Sequence, residues 1–121
     1  MNKQSALKWN DIIAFYNELN KEDNWNIKPL INLATKIEKS SYAEGLLPST
    51  SHEVLYIAQS ENGLGDIPRL KIELNQKKQE FNFTYENSHI SKEWWHRTAK
   101  ANEGFNVLER FLIKRARWYK K

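Results

Sequence analysis

Three histidines, His52, His89 and His96, are the residues whose ordinary pKa would suit proton transfer near neutral pH. Two of them, with a Lys or Arg holding a phosphate, could serve as general acid and base in a metal-independent nuclease. Their spacing does not favour this. His52 opens a predicted strand, His89 falls in a loop, and His96 sits among aromatic residues. Metal chemistry has less support still. The chain has no cysteine, no His-Glu-x-x-His, no Asp-rich calcium loop and no His pair at i, i+4. Gly63-Leu64-Gly65 is half of a phosphate loop, without the third glycine or the following lysine, and the next element is a strand, not a helix. Gly-x-Ser-x-Gly is absent, and the acid pairs Glu22/Asp23 and Glu86/Glu93 lack an apolar setting that would raise a pKa. The expectation is a protein that is not an enzyme, with no catalytic residue, cofactor or metal.

A constellation of aromatic and basic residues remains. Trp94, Trp95, His96, Arg97 and Lys100 are followed by Arg110, Lys114, Arg115, Arg117, Trp118 and Tyr119. Exposed aromatics beside Arg and Lys can stack bases and neutralise phosphates. The binding candidates are Trp94, Trp95, Arg97, Arg110, Lys114, Arg115, Arg117 and Trp118. Charge is unevenly distributed: residues 1–91 carry ten Lys/Arg against twelve Asp/Glu, whereas residues 92–121 carry nine against three. That asymmetry points to nucleic acid, an acidic protein face or an anionic membrane. The membrane ranks last, because the apolar side of the same helix is needed to cover a sheet. A structural explanation competes with all three. Cations in a last helical turn stabilise the macrodipole by roughly 0.3–1 kcal/mol each, and their stems can cover aromatic surface.

The elements that must position these residues follow from hydrophobic period. Ala6–Asn20 reads as an amphipathic helix capped by Ser5, with Trp9, Ile12, Ile13, Tyr16 and Leu19 on one side. Trp25 and Ile27 should anchor the connection that follows. A second helix begins at Pro29, with Leu30, Leu33, Ala34 and Ile37 inward, and packs on the first as a hairpin. Residues 40–51 read as a packed loop. Val54–Ala58 reads as a central strand. Leu70, Ile72 and Leu74 alternate with polar residues, as do Phe81, Phe83 and Tyr85, giving a hairpin with one wet face. In residues 87–101, a helical turn capped by Ser91 is preferred over a fourth strand through Trp94–Thr98. Asn102–Lys121 should form a long helix, with Phe105, Leu108, Phe111, Leu112, Ala116 and Tyr119 along its apolar side.

At 121 residues and 40% hydrophobic, the chain suits one folded domain, residues 1–121. Its N-terminus lacks a signal peptide's apolar block, and no run approaches the ~20 residues of a membrane helix, so a cytoplasmic protein is expected. The predicted fold is α+β: an N-terminal helical hairpin, an antiparallel β-meander of three to four strands, and the long amphipathic C-terminal helix packed on the sheet. In outline, helices followed by a meander with Phe-x-Phe-x-Tyr (Phe81, Phe83, Tyr85) and a closing Arg-Phe-Leu helix (Arg110, Phe111, Leu112) resemble the bacterial immunity partners of contact-dependent or polymorphic toxins. The resemblance lies in architecture and size, and no specific motif carries it. It implies a small protein-binding module that neutralises a toxin or effector partner by direct binding. Inhibitors of nucleases are usually acidic, and this chain departs from that pattern with its net charge of +4. A nucleic-acid-binding protein that uses the basic C-terminal helix is the alternative.

Overall fold

A computed structural model describes residues 3–22, 26–59 and 68–118. Two helices come first, α1 (Lys3–Glu22) and α2 (Lys28–Lys39). Five strands follow: β1 (Leu46–Ser51), β2 (Val54–Gln59), β3 (Arg69–Asn75), β4 (Glu80–Glu86) and β5 (Trp95–Lys100). The helix α3 (Gly104–Arg110) runs directly into a π-helical segment, Phe111–Arg115. The strands lie in chain order, and every neighbouring pair is antiparallel. The α+β class, the helical hairpin and the meander are therefore as expected, with five strands in place of three or four.

Register shows how the alternation works. Leu55 pairs with Ile72, and Ile72 with Phe83; Ile57 pairs with Leu70, and Leu74 with Phe81. These residues share one face, and all are buried. Trp9, Tyr16, Leu30, Leu33, Ile37, Leu108, Phe111 and Leu112 close over that face from the helices. Two polar handles tie α1 to the sheet. The Trp9 indole Nε1 donates to the Leu46 carbonyl at 3.1 Å, and the Tyr16 hydroxyl donates to the Glu53 carbonyl at 3.0 Å. Ile27 is an anchor, as expected: it is fully buried, and its N–H donates to Asn20 Oδ1 at 3.2 Å. Trp25 lies outside the described residues.

The opposite face carries Tyr56, Lys71, Thr84 and His96 in one row across the register. Glu86 is buried there because Arg69 Nε donates to its Oε1 at 2.6 Å. The same guanidinium lies 4.2 Å from the Tyr56 ring centroid, so one arginine both neutralises the carboxylate and covers the ring.

Four expectations are corrected. Ser5 lies inside α1, which starts at Lys3. The loop expected over residues 40–51 holds an edge strand, β1, because an edge tolerates the proline that a central strand would exclude. Residues 87–101 contain both a short 3₁₀ turn (Ser91–Glu93) and a fifth strand, so the strand reading of Trp95–Lys100 prevails. The C-terminal helix is short. Ala116 N–H reaches back to the Phe111 carbonyl and Trp118 N–H to the Leu112 carbonyl, both at 2.9 Å, while Arg117 adopts a φ of 57°. A left-handed residue followed by a back-reaching N–H is how helices stop, here widened by one residue to suit the π turn.

Two measurements check this packing. Leu112 is fully buried, and Leu112→Ala should cost about 2–5 kcal/mol in urea unfolding. Gly104 starts α3 directly against Phe81, where an added Cβ would stand 2.6 Å from the ring. Gly104→Ala should therefore destabilise by about 1–3 kcal/mol, although alanine is the better helix former.

Candidate functional site

Strand β5 and the helix that follows it enclose a shallow depression of about 270 Å³, lined by Trp95, Arg97, Val107, Arg110, Lys114 and Arg115, with Phe111 also at its wall. Strand alternation brings the first two residues there. Tyr85 pairs with Trp95 and Phe83 with Arg97, so both side chains stand on the helix-covered face, at the sheet's last strand. Helical spacing brings the others: Val107, Arg110 and Lys114 follow at steps of three and four, and Val107, Phe111 and Arg115 at steps of four. A neighbouring depression again holds Arg97, Val107 and Arg110, now with Glu103 and Asn106.

Four cations thus converge on one surface. Among the described residues there are two ion pairs, Arg69–Glu86 and Lys71–Glu73, and neither involves this group. Glu109, on α3, instead accepts a hydrogen bond from the Tyr42 hydroxyl at 2.8 Å. Burial and this bond both raise the Tyr42 pKa. Lys114 and Arg115 lie in the last helical turn, where the macrodipole accounts for a cation. Arg97 is on a strand, and Arg110 lies a turn earlier. The dipole explains neither.

The aromatic residues are placed differently. Trp95 lies against Phe111, ring centroids 5.1 Å apart, and the Arg115 guanidinium lies 5.6 Å from the Trp95 ring. Trp118 turns back from the helix end onto Tyr85 and Phe111, edge-on to both at 6.1 and 6.0 Å. Burial raises the Tyr85 pKa there, opposed by a hydrogen bond with Trp118. Trp94 belongs elsewhere: its Nε1 donates to the Ser88 carbonyl at 2.8 Å, and it borders a depression on the open sheet face with Thr84 and His96. Of the eight residues predicted from the sequence, Trp95, Arg97, Arg110, Lys114 and Arg115 come together. Trp94 and Trp118 do not line this depression. Arg117 is exposed in the left-handed turn beyond the helix. Val107, a wall of the depression, was not among the predicted site residues; its position one turn before Arg110 was the available signal.

The histidines are scattered. His52 stands in the β1–β2 turn with φ 57°, not at the start of a strand, and His89 lies exposed in the β4–β5 connection. His96 Nδ1 is 3.3 Å from Thr84 Oγ1 on the open sheet face. Among the described residues no group of three metal-ligating side chains is assembled, and no helix is long and apolar enough to cross a membrane. Gly63, Gly65 and Tyr119 to Lys121 lie outside the described residues. Compared with protein-family models, curated proteins and solved structures, the chain matches none.

Arg117 offers a clean check on the end of the helix. A left-handed non-glycine residue carries roughly 1–2 kcal/mol of strain, partly offset by glycine's larger entropy when unfolded. Arg117→Gly should raise the unfolding free energy by up to about 1 kcal/mol, measured by urea denaturation.

Proposed function

We propose that the protein is a non-enzymatic protein-binding module, of the immunity or inhibitor kind, that neutralises a toxin or effector partner by docking against an acidic face. The observation that carries this reading is the convergence of Arg97, Arg110, Lys114 and Arg115 around Trp95, drawn from a strand and a helix, with none of the four in an ion pair among the described residues. Arg and Trp are the residue types that anchor protein interfaces, and an unpaired cationic patch speeds encounter with an acidic partner.

The nucleic-acid alternative has less support. Its cations are present, but base stacking needs a free aromatic face. Trp95 lies between Phe111 and Arg115, Trp118 sits against Tyr85 and Phe111, and Trp94 is tied to the β4–β5 connection.

The test pairs this chain with the product of the neighbouring open reading frame. Co-expression should give a complex stable to size exclusion. Arg110→Glu with Lys114→Glu should weaken it at least tenfold, about 1.4 kcal/mol, with an unchanged melting temperature. Labelled RNA and DNA should not bind at low or physiological salt. Micromolar nucleic-acid binding that weakens steeply with salt, and is lost in the same double variant, would replace this reading with the alternative.

A further inference from the structure

The sheet has two edges, and the fold treats them in opposite ways. In an antiparallel pair, residues alternate between those whose backbone groups point into the pair and those whose groups point out. The two-residue β1–β2 turn joins Ser51 and Val54, which makes Ser51, Ser49 and Leu47 the inward-bonded residues of β1. Leu46, Pro48 and Thr50 therefore face the free edge. That edge is blunted twice. Pro48 has no N–H to offer, and the Leu46 carbonyl already accepts the Trp9 indole.

At the other edge, the Ala101 N–H donates to the Gln79 carbonyl at 3.0 Å, which sets the phase of the β4–β5 ladder. Ala99, Arg97 and Trp95 then bond inward to Phe81, Phe83 and Tyr85. The N–H and C=O groups of His96 and Thr98 and the N–H of Lys100 point out, while the Lys100 carbonyl belongs to the N-cap of the 3₁₀ turn Ala101–Glu103. Among the described residues nothing hydrogen-bonds to those outward groups, and all three side chains are exposed. This edge has no proline and, among the described residues, no covering indole. It has cations instead, with Lys100 on its open-face side and Arg97, Arg110 and Lys114 on the other.

We propose that β5 is a strand-addition site, and that its occupant is an acidic extended segment of a partner protein that pairs as a sixth strand. Main-chain bonds to His96, Thr98 and Lys100 hold the segment, and carboxylates on its alternate residues meet Arg97, Arg110 and Lys114. A second copy of this chain is the wrong occupant. Pairing β5 with itself would bring two copies of the same cationic margin, Arg97, Arg110 and Lys114, together on one face, like charge beside like charge. The inference rests on the protein-binding reading of the cationic depression, and it adds how the partner is held.

The probe is a fluorescein-labelled octapeptide of alternating Glu and Thr, with an alternating Lys and Thr peptide as control. The acidic peptide should bind the full chain, and the basic one should not. Bound peptide should slow amide hydrogen exchange at His96, Thr98 and Lys100 at least tenfold, leaving Trp95, Arg97 and Ala99, already in the ladder, unchanged. Thr98→Pro removes an outward N–H without breaking a main-chain bond to β4, losing besides it only the exposed bond that Thr98 Oγ1 donates to Asn82 Oδ1 at 3.1 Å, and should weaken binding at least tenfold while the circular dichroism spectrum stays native. Arg97→Glu with Lys100→Glu should abolish binding. If the acidic peptide binds but the three amides gain no protection and Thr98→Pro binds as wild type, strand addition is overturned, while docking through side chains stands. Binding of both peptides alike, or of neither, also overturns it. Micromolar, salt-sensitive binding of RNA or DNA that is lost in Arg110→Glu with Lys114→Glu would remove the protein-binding reading itself.

Discussion

A sheet that is apolar on one face must have that face covered across its whole width, and the rest of this molecule follows from that requirement. Five strands at about 4.8 Å put the outer two roughly 19 Å apart. Three helices packed at 8–10 Å span about 16–20 Å between the first and last axes. The described residues supply three: α1 beside β1, α2 next to it, and α3 beside β5. The buried faces of all three meet Leu55, Ile57, Leu70, Ile72, Phe81 and Phe83 in one continuous core.

Covering the sheet in this way leaves its two margins unequal. At the first, α1 reaches down with an indole and a phenol to carbonyls of the β1–β2 hairpin, closing that side with directional bonds. At the last, the π-helical segment after α3 meets β5 through Phe111 and Trp95, and the basic residues Arg110, Lys114 and Arg115 beside that contact are exposed. The uneven charge of the chain is therefore concentrated in space as well as in sequence, along a margin whose backbone is open. The open sheet face is settled by its own contacts, chiefly the Arg69–Glu86 pair over Tyr56 and the Thr84–His96 hydrogen bond. Among the described residues it gathers no comparable group of unpaired charges.

How much of this could be read beforehand depended on the kind of signal each segment carries. Arg69–Asn75 and Glu80–Glu86 alternate cleanly because each has one wet face and one buried face, so the period of two is written in residue types. The β5 segment is exposed at most positions, and only Ala99 is buried, so no alternation marks it as a strand. Leu46–Ser51 is disguised by Pro48 and its serines, which suit an edge and a loop equally well. The helical period of Phe105–Leu112 continues formally to Tyr119. The chain nevertheless turns at Arg117, because Trp118 finds Tyr85 and Phe111 to pack against.

By itself, then, the sequence determined what periodicity and composition can encode: an α+β chain, the two N-terminal helices, the wet-faced β3–β4 hairpin, and a C-terminal excess of positive charge. It also singled out Trp94, Trp95, Arg97, Arg110, Lys114, Arg115, Arg117 and Trp118 as one basic and aromatic group. Only the tertiary structure decided that Trp95, Arg97, Arg110, Lys114 and Arg115 share a depression while Trp94, Arg117 and Trp118 lie elsewhere. Only it decided which sheet edge is closed and which is open. The physical reason is that periodicity reports how a segment divides between core and solvent. Which cation finds a carboxylate, which ring finds a neighbour, and which backbone groups face outward depend on partners 10 to 70 residues away, and register and packing choose among them.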